Sequence, residues 1–196
     1  MRLPALALIV FNMLIGTAAP AEETGDFSMG LGVSNFGVAL TGEYTTSPQW
    51  NIRGVVMGGF SFDDTFQEDD YTIVGRAELG GVALFADYYP LDNAWRMTGG
   101  VFMSNSELTG DFTGPENFTG DMGFANELVP MIATGFKAQV SDTVSFYGDV
   151  GVMFSSLEVS SDSTDPAVQT EIDELNDDLD DMPVFPYIET GVSFRF

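Results

Sequence analysis

The sequence predicts an all-β protein, an eight-stranded antiparallel transmembrane up-and-down β-barrel with a short amphipathic helix in its last external loop. Three observations lead to this fold. Residues 184–196 alternate apolar with polar or small side chains up to Phe196, as a strand with two different faces does. Residues 1–21 have the features of a secretory signal peptide, and the rest of the chain has no apolar run long enough for a membrane-spanning helix. An exported chain that enters a membrane without such helices must close its strands into a barrel.

The signal peptide is predicted from its three parts. Arg2 supplies a positive charge, residues 3–15 form the apolar run, and Ala-Pro-Ala at 19–21 resembles a cleavage site. Residues 22–196 are then expected to form one outer-membrane β-barrel domain, because this length is too short for a barrel and a second sizeable domain. The absence of cysteine agrees with an exported fold that does not depend on disulfides.

Eight strands with period-two alternation are predicted, separated by segments rich in turn-forming residues. Tight turns alternate with the long connections 63–70, 105–127 and 156–183, as short periplasmic turns alternate with long external loops in outer-membrane barrels. The first external connection, at 34–35, is the exception because it is tight. The predicted strands are 27–33, 36–45, 50–62, 71–89, 94–104, 128–140, 144–155 and 184–196.

The outward parity of these strands is apolar, without a charged residue. Aromatic residues of the same parity lie beside the tight turns and predict a girdle at the membrane surface, where amphipathic rings are favoured. The core of a soluble β-sandwich is the alternative interpretation. The predicted girdle consists of Tyr44, Trp50, Tyr88, Trp95 and Phe146, joined by Phe196. The predicted lipid-facing residues are Val38, Leu40, Ile52, Val56, Ile73, Leu79, Val82, Leu84, Val101, Ile132, Phe136, Val150 and Val152.

One predicted strand changes parity. In segment 71–89 the apolar residues are odd-numbered before Gly80-Gly81 and even-numbered after it. A β-bulge at the glycine pair would insert the one residue that keeps a single face apolar. A hairpin turn at the same glycines is the alternative.

The same parity turns the basic residues of the mature chain inward, together with five acids. The interior of an eight-stranded barrel is just wide enough for side chains to fill, and buried ions need partners. The sequence therefore predicts a lumen closed by a balanced salt-bridge network rather than an open pore. The predicted network consists of Glu43, Arg53, Arg76, Glu78, Asp87, Arg96, Lys137, Asp149, Glu189 and Arg195.

The external connections are strongly acidic. The formal net charge of the chain is −24, and the three long connections contain no basic residue. Such a field repels nucleic acid and attracts cations, so we expect loosely bound divalent cations and no nucleic-acid partner. No specific metal site is predicted, because the acidic run in the last loop lacks the glycine and the ligand spacing of the helix-loop-helix calcium site. The weak candidates for calcium are Asp177, Asp178, Asp180 and Asp181.

A short amphipathic helix is predicted in the last external loop. Asp165-Pro166 is a favourable helix start, and apolar residues follow at helical spacing. We expect the apolar stripe to pack on the barrel rim or on neighbouring loops, with docking on a partner or on the lipid surface as the alternative. The stripe consists of Val168, Ile172, Leu175, Leu179 and Met182.

The sequence gives little support for catalysis. It contains no histidine and no cysteine, so a nucleophile would have to be an unassisted serine, threonine or carboxylate. We therefore expect neither enzymatic activity nor a cofactor.

The signal peptide, the eight strands and the ending Gly-Val-Ser-Phe-Arg-Phe at 191–196 resemble the small eight-stranded outer-membrane barrels of Gram-negative bacteria, the group of the OmpA transmembrane domain, OmpX and OmpW. Segment 86–90 with Arg96, and segment 165–186, resemble uncharacterised proteobacterial outer-membrane proteins. The resemblance implies a location in the bacterial outer membrane, contact with its lipid, and recognition by the barrel-assembly machinery. The carriers of that assembly signal would be Val192, Phe194 and Phe196.

The functional expectation is a non-enzymatic, monomeric outer-membrane protein. Its filled barrel would support acidic external loops that serve envelope integrity or surface interaction. The alternative is a narrow porin-like or OmpW-like channel for small or apolar solutes.

Overall fold

The computed structural model describes residues 24–68, 71–91 and 93–196. The predicted signal peptide, residues 1–21, lies outside the described residues. The described part of the chain forms strands and one helix. The strands are β1 (Phe27–Ser34), β2 (Gly37–Ser47), β3 (Trp50–Glu68), β4 (Tyr71–Tyr88), β5 (Trp95–Ser104), β6 (Glu107–Thr113), β7 (Phe118–Phe124), β8 (Leu128–Gln139), β9 (Val144–Met153), β10 (Leu157–Ser161) and β11 (Phe185–Arg195), and the helix is α1 (Pro166–Asp180).

Eight of these strands form a closed antiparallel barrel, which confirms the predicted fold class. Neighbouring strands pair in the order β1, β2, β3, β4, β5, β8, β9 and β11. The barrel closes where β11 pairs with β1, from Ser28↔Arg195 to Ser34↔Glu189. The tight connections after β2, β4 and β8 lie at one end of the barrel, which we call the short-turn end. The opposite end is the long-loop end.

The barrel exterior is apolar. Outward side chains in the middle of the wall, among them Leu40, Ile132 and Val150, are more than half exposed. At the short-turn end Trp50 stacks on Tyr88 with 4.6 Å between ring centroids. Exposed apolar side chains around a whole barrel wall need lipid rather than water as their solvent.

Beyond the barrel, β3 and β4 continue into a second sheet at the long-loop end. The lower part of β4, from Gly81 to Tyr88, pairs with β5, whereas its upper part, from Thr72 to Glu78, pairs with β6. The strand order of this outer sheet is β3-β4-β6-β7-β10. The three connections predicted as long loops, 63–70, 105–127 and 156–183, therefore contain strands that the sequence did not predict, namely the end of β3 and all of β6, β7 and β10.

A β-bulge lies where the barrel wall meets the outer sheet, but it is in β3. Met57 pairs with Gly81 and Phe60 pairs with Leu79, so two glycines of β3, residues 58–59, oppose one residue of β4. Gly59 has a φ of 87°, which favours glycine. Because β4 itself continues without a bulge or a turn, both predicted arrangements at 80–81 are wrong.

The regular course of β4 changes which side chains face lipid. With no extra residue in β4, its odd-numbered side chains lie on the lumen side of the wall and on the continuation of that side in the outer sheet. Ile73 is accordingly only 6% exposed. The prediction that Ile73 and Leu79 face lipid is wrong for this reason.

The predicted helix in the last external connection is confirmed. Its cap is Asp165, whose carboxylate accepts a hydrogen bond from the main-chain N–H of Ala167 at 2.8 Å. The helix packs beside β10, where the Asn176 amide donates to the Val159 carbonyl at 2.9 Å and accepts from the Val159 N–H at 2.8 Å. A side chain thus takes the place of a neighbouring strand at this edge of the outer sheet. No helix in the described ranges is long and apolar enough to cross a membrane.

Replacing Asn176 by alanine is expected to open this edge. Asn176→Ala leaves the N–H and the carbonyl of Val159 without their partner, at a cost of about 1–2 kcal/mol in local stability. Hydrogen exchange of the β10 amides should become faster in the variant. Asp177→Ala, one position away on the helix, is the matched control, and equal exchange in both variants would contradict the role of Asn176.

Candidate functional site

The barrel lumen is the candidate site, and its contents form two layers. The layer near the short-turn end is ionic, because the inward positions of the lower strands are arginine, lysine, aspartate and glutamate. The layer near the long-loop end is apolar and largely aromatic. The interior is therefore packed with side chains, as expected for eight strands.

Arg53, on β3, has three carboxylate partners. Its Nε and Nη2 donate to the two oxygens of Asp87 on β4, at 2.8 and 3.1 Å. Its Nη1 lies 3.1 Å from Glu189 Oε2 on β11 and 3.1 Å from Asp149 Oδ2 on β9. One guanidinium thus joins three other strands of the wall.

Arg96, on β5, also has three carboxylate partners. It binds Asp149 through both oxygens, with Nη2–Oδ2 at 2.6 Å and Nε–Oδ1 at 3.1 Å. Its Nη1 lies 3.3 Å from Asp87 Oδ2 and 3.5 Å from Glu43 Oε2. Because Asp87 and Asp149 contact both arginines, the two guanidinium groups belong to one network.

Lys137, on β8, completes the cationic part of the network. Its ammonium lies 2.5 Å from Glu43 Oε1, and the Asn51 amide donates to the same oxygen at 2.9 Å. Glu43 therefore has a lysine, an arginine and an amide as partners, so its buried charge is paired and hydrogen-bonded.

Neutral donors satisfy the remaining carboxylate oxygens. The phenol groups of Tyr147 and Tyr187 donate to the two oxygens of Glu189 at 3.0 and 2.6 Å, and the Thr98 hydroxyl donates to Asp87 at 2.6 Å. Among the residues that the structure describes, no buried side-chain nitrogen or oxygen is without a hydrogen-bond partner. Neither tyrosine belongs to the predicted network, although their odd numbers place them on the inward parity of β9 and β11.

Four phenylalanines fill the lumen at the long-loop end. Phe36 lies in the tight connection after β1 and is 3% exposed. Its ring centroid lies 4.7 Å from that of Phe102, 5.9 Å from Phe185 and 6.1 Å from Phe124. We call these four residues the aromatic plug. The parity of the second strand would turn Phe36 outward, but Gly37, with a φ of 120°, redirects the chain at this point.

The ionic layer contains a small cavity. The cavity within the ionic network has a volume of about 10 Å³ and is lined by residues such as Thr41, Lys137 and Ser193. This is about the space of one water molecule.

Three of the predicted network residues lie elsewhere. Arg76 and Glu78 are exposed on the outer sheet, on the side that continues the lipid-facing wall, because β4 has no bulge. Arg76 pairs there with Asp111 at 2.9 Å. Arg195 lies at the short-turn rim, 3.6 Å from Asp26, where β11 ends. The predicted balance of five bases and five acids is wrong for these positions.

The charges that do meet in the lumen are three bases and four acids. All seven are at most 6% exposed. They comprise Arg53, Arg96, Lys137, Glu43, Asp87, Asp149 and Glu189. The network keeps one formal negative charge, which the phenols, Asn51 and Thr98 help to stabilise by hydrogen bonding.

The other predicted sites lie on the exterior. Phe194 and Phe196 are exposed on the lipid-facing side and Val192 is half-buried there, with the Phe196 N–H donating to the Phe27 carbonyl at 3.0 Å. Of the predicted girdle, Tyr44, Trp50 and Phe146 are exposed and Tyr88 and Trp95 are half-buried. The described residues contain no group of three histidine, cysteine or acidic side chains arranged to bind a metal. The calcium candidates lie on or beside α1, where Asp180 accepts a hydrogen bond from Ser156 at 2.9 Å.

Comparison with known proteins adds to this description. No protein family model and no curated protein matches the sequence. Among solved structures, Acinetobacter baumannii CarO2 and CarO match with TM-scores of 0.63 and 0.61, at 14% and 16% identity, over 89% of this chain and 100% of theirs. A major outer membrane protein from Thermus thermophilus matches with a TM-score of 0.51 at 17% identity, over 88% of this chain and 99% of that one.

The chain has the fold of the small outer-membrane β-barrels. The lipid-facing wall and the closed strand order are those of a bacterial outer-membrane protein, as predicted. In such barrels the short turns are periplasmic and the long connections are external. We therefore call the short-turn end periplasmic, and the outer sheet with α1 external.

Proposed function

We propose that this protein is a closed, non-enzymatic outer-membrane barrel that supports an external sheet and helix for surface interaction or envelope integrity. The filled lumen is the observation that carries this proposal. An ionic layer and an aromatic plug lie in series along the barrel, and the cavity described within the ionic layer has a volume of about 10 Å³. Such packing supports a lumen that does not admit solutes.

The external part supports a role in interaction. It comprises five strand segments and α1, which together form an ordered surface rather than separate loops. Its only base among the described residues is Arg76, which is paired with Asp111. The surface is therefore strongly negative and attracts cationic molecules and divalent ions of the outer leaflet.

The absence of catalytic residues supports a non-enzymatic role. The sequence has no histidine or cysteine, and the buried carboxylates are paired with arginine, lysine or phenol groups. A carboxylate in such a network is not free to act as a base.

Planar-bilayer recording tests the closed lumen. The full chain, folded in detergent and inserted at single-molecule density, is expected to give no stable conductance steps in 1 M KCl. Folding of the sample is checked by the difference in gel mobility between unheated and heated protein. Reproducible steps of constant size would refute the proposal and favour the narrow channel, and replacing Phe36 and Phe102 by alanine should then enlarge them.

Labelling of intact cells tests the topology. An antibody against residues 157–182 should bind cells whose outer membrane is intact, because β10 and α1 are external in the proposed orientation. Binding only after permeabilisation would show that the orientation is reversed.

A further inference from the structure

The two edges of the outer sheet differ in what lies against them. At one edge, the Asn176 side chain bonds both main-chain groups of Val159 in β10, and α1 packs beside it. At the other edge lies the upper part of β3, residues 60–68. The pairing of β3 with β2 ends at Gly58, so above the bulge β3 has β4 as its only described neighbour strand.

The register shows which main-chain groups face the open edge. The Gly80 carbonyl accepts a hydrogen bond from the Asn105 N–H. The main-chain N–H and C=O groups of even-numbered β4 residues therefore point away from β3, and those of odd-numbered residues point toward β3. Leu79 pairs with Phe60, and even-numbered residues of β3 therefore bond to β4 above the bulge. The groups that point to the open edge belong to Ser61, Asp63, Thr65 and Gln67.

A carboxylate partly occupies this edge. The Thr65 N–H donates to Asp64 Oδ1 at 2.8 Å, which is a local bond that an incoming strand can replace. A row of unpaired main-chain donors and acceptors is a template for another strand, and proteins usually cover such a row or protect it with charge. Here one edge is covered and the other is protected only by acidic residues.

The side chains along the edge define the pattern of a partner. Phe62 and Phe66, on the face that continues the lumen side, are 60% and 48% exposed, and Asp64 lies between them. Asp63 lies on the opposite face. Arg76 is opposite Asp63 in the register, but its guanidinium pairs with Asp111 on the next strand. A strand that adds here meets phenyl rings on one face and carboxylates on both.

We infer that the upper edge of β3 is a strand-addition site for an extended protein segment in which basic and apolar residues alternate. Main-chain hydrogen bonds to residues 61–67 supply the pairing, the partner's apolar side chains lie beside Phe62 and Phe66, and its basic side chains lie beside Asp63 and Asp64. A second copy of this chain fits less well, because antiparallel pairing of two such edges brings Asp63 and Asp64 of the two copies together. The inference rests on the proposed role of the external sheet in interaction and names the kind of partner.

A designed peptide tests the site. The probe is a fluorescein-labelled nine-residue peptide of alternating valine and lysine with blocked ends, titrated against the full chain in detergent micelles by fluorescence anisotropy. Saturable one-to-one binding is expected. The same peptide with every amide N-methylated keeps its side chains but cannot donate, so its affinity should fall by on the order of tenfold or more. Equal affinity of the two peptides would overturn strand addition.

Two variants of the chain separate main-chain pairing from charge. Thr65→Pro removes one edge N–H and should weaken binding about tenfold, whereas Thr65→Ala keeps the N–H and should bind as the parent does. If Thr65→Pro disturbs the outer sheet, the N-methylated peptide remains the test of main-chain pairing. The double change Asp63→Lys with Asp64→Lys tests the charge. That variant should no longer bind the valine–lysine peptide and should bind a valine–glutamate peptide instead.

The remaining outcomes overturn the inference. If the probe does not bind, or if neither variant changes its binding, the upper edge of β3 is not a strand-addition site. A concentration-dependent dimer of the parent that Thr65→Pro abolishes would show that the edge pairs with a second copy. None of these results bears on the closed lumen, because the bilayer recording tests it separately.

Discussion

Arg53→Met should lower the free energy of unfolding by about 3–5 kcal/mol, because removing one partner of a buried ion pair leaves the other uncompensated. Arg53 contacts Asp87, Asp149 and Glu189 within 3.1 Å and is 1% exposed. Methionine keeps much of the side-chain volume, so the loss reports charge and hydrogen bonding rather than a cavity. Urea unfolding in detergent, followed by tryptophan fluorescence, measures the effect.

Two comparisons make the result specific. Arg76→Met removes an arginine that is 53% exposed, and it should change stability by less than about 1 kcal/mol. The double variant Arg53→Met with Asp87→Asn should cost less than the sum of its single changes, because the two residues share hydrogen bonds. If Arg53→Met unfolds like Arg76→Met, the ionic layer does not stabilise the barrel.

Gly191→Ala should destabilise the closure of the barrel by about 3 kcal/mol, at the upper end of the usual cost of overpacking. Gly191 on β11 pairs with Gly32 on β1. A Cβ at position 191 would lie 2.6 Å from the Leu31 carbonyl oxygen and 2.6 Å from the Tyr147 hydroxyl. Because the Leu31 oxygen is a main-chain atom, the added methyl group must separate β1 from β11, and it must also displace the Tyr147 hydroxyl.

Gly54→Ala is the control for this change. Gly54 is an exposed glycine of β3, and a Cβ added there meets no atom within 4 Å. It should be neutral or slightly stabilising, because alanine reduces the freedom of the unfolded chain. The temperature at which unheated protein loses its folded gel mobility compares the two variants. Equal temperatures would show that the contact between Gly32 and Gly191 tolerates a side chain.

Sequence parity was sufficient where strands are regular. Arg53, Asp87 and Arg96 lie on uninterrupted parts of β3, β4 and β5, and counting in twos placed them inward. The same count failed for Arg76 and Glu78. Glycine pairs lie at the same height in β3, at residues 58–59, and in β4, at residues 80–81. The sequence does not show which of two facing glycine pairs contains the extra residue.

The outer sheet is the largest structural feature that was not predicted from the sequence. Strands β6, β7 and β10 are seven, seven and five residues long, and they contain glycines and acids that are weak strand formers. They are held by pairing with neighbouring strands, β6 with β4, β7 with β6 and β10 with β7, which the local sequence does not reveal. The aromatic plug was missed for a related reason, since the inward turn of Phe36 depends on the backbone of Gly37 and not on strand periodicity.

The length of β3 and β4 has a mechanical consequence. They contain 19 and 18 residues, which at about 3.3 Å per residue is roughly 60 Å of strand, whereas the hydrocarbon core of a bilayer is roughly 30 Å thick. Both strands continue from the periplasmic rim to the far end of the outer sheet, with one β-bulge in β3 at residues 58–59. A molecule bound at the far end of the outer sheet would be held above the headgroups. A force applied to it would be transmitted along β3 and β4 to the barrel wall in the membrane.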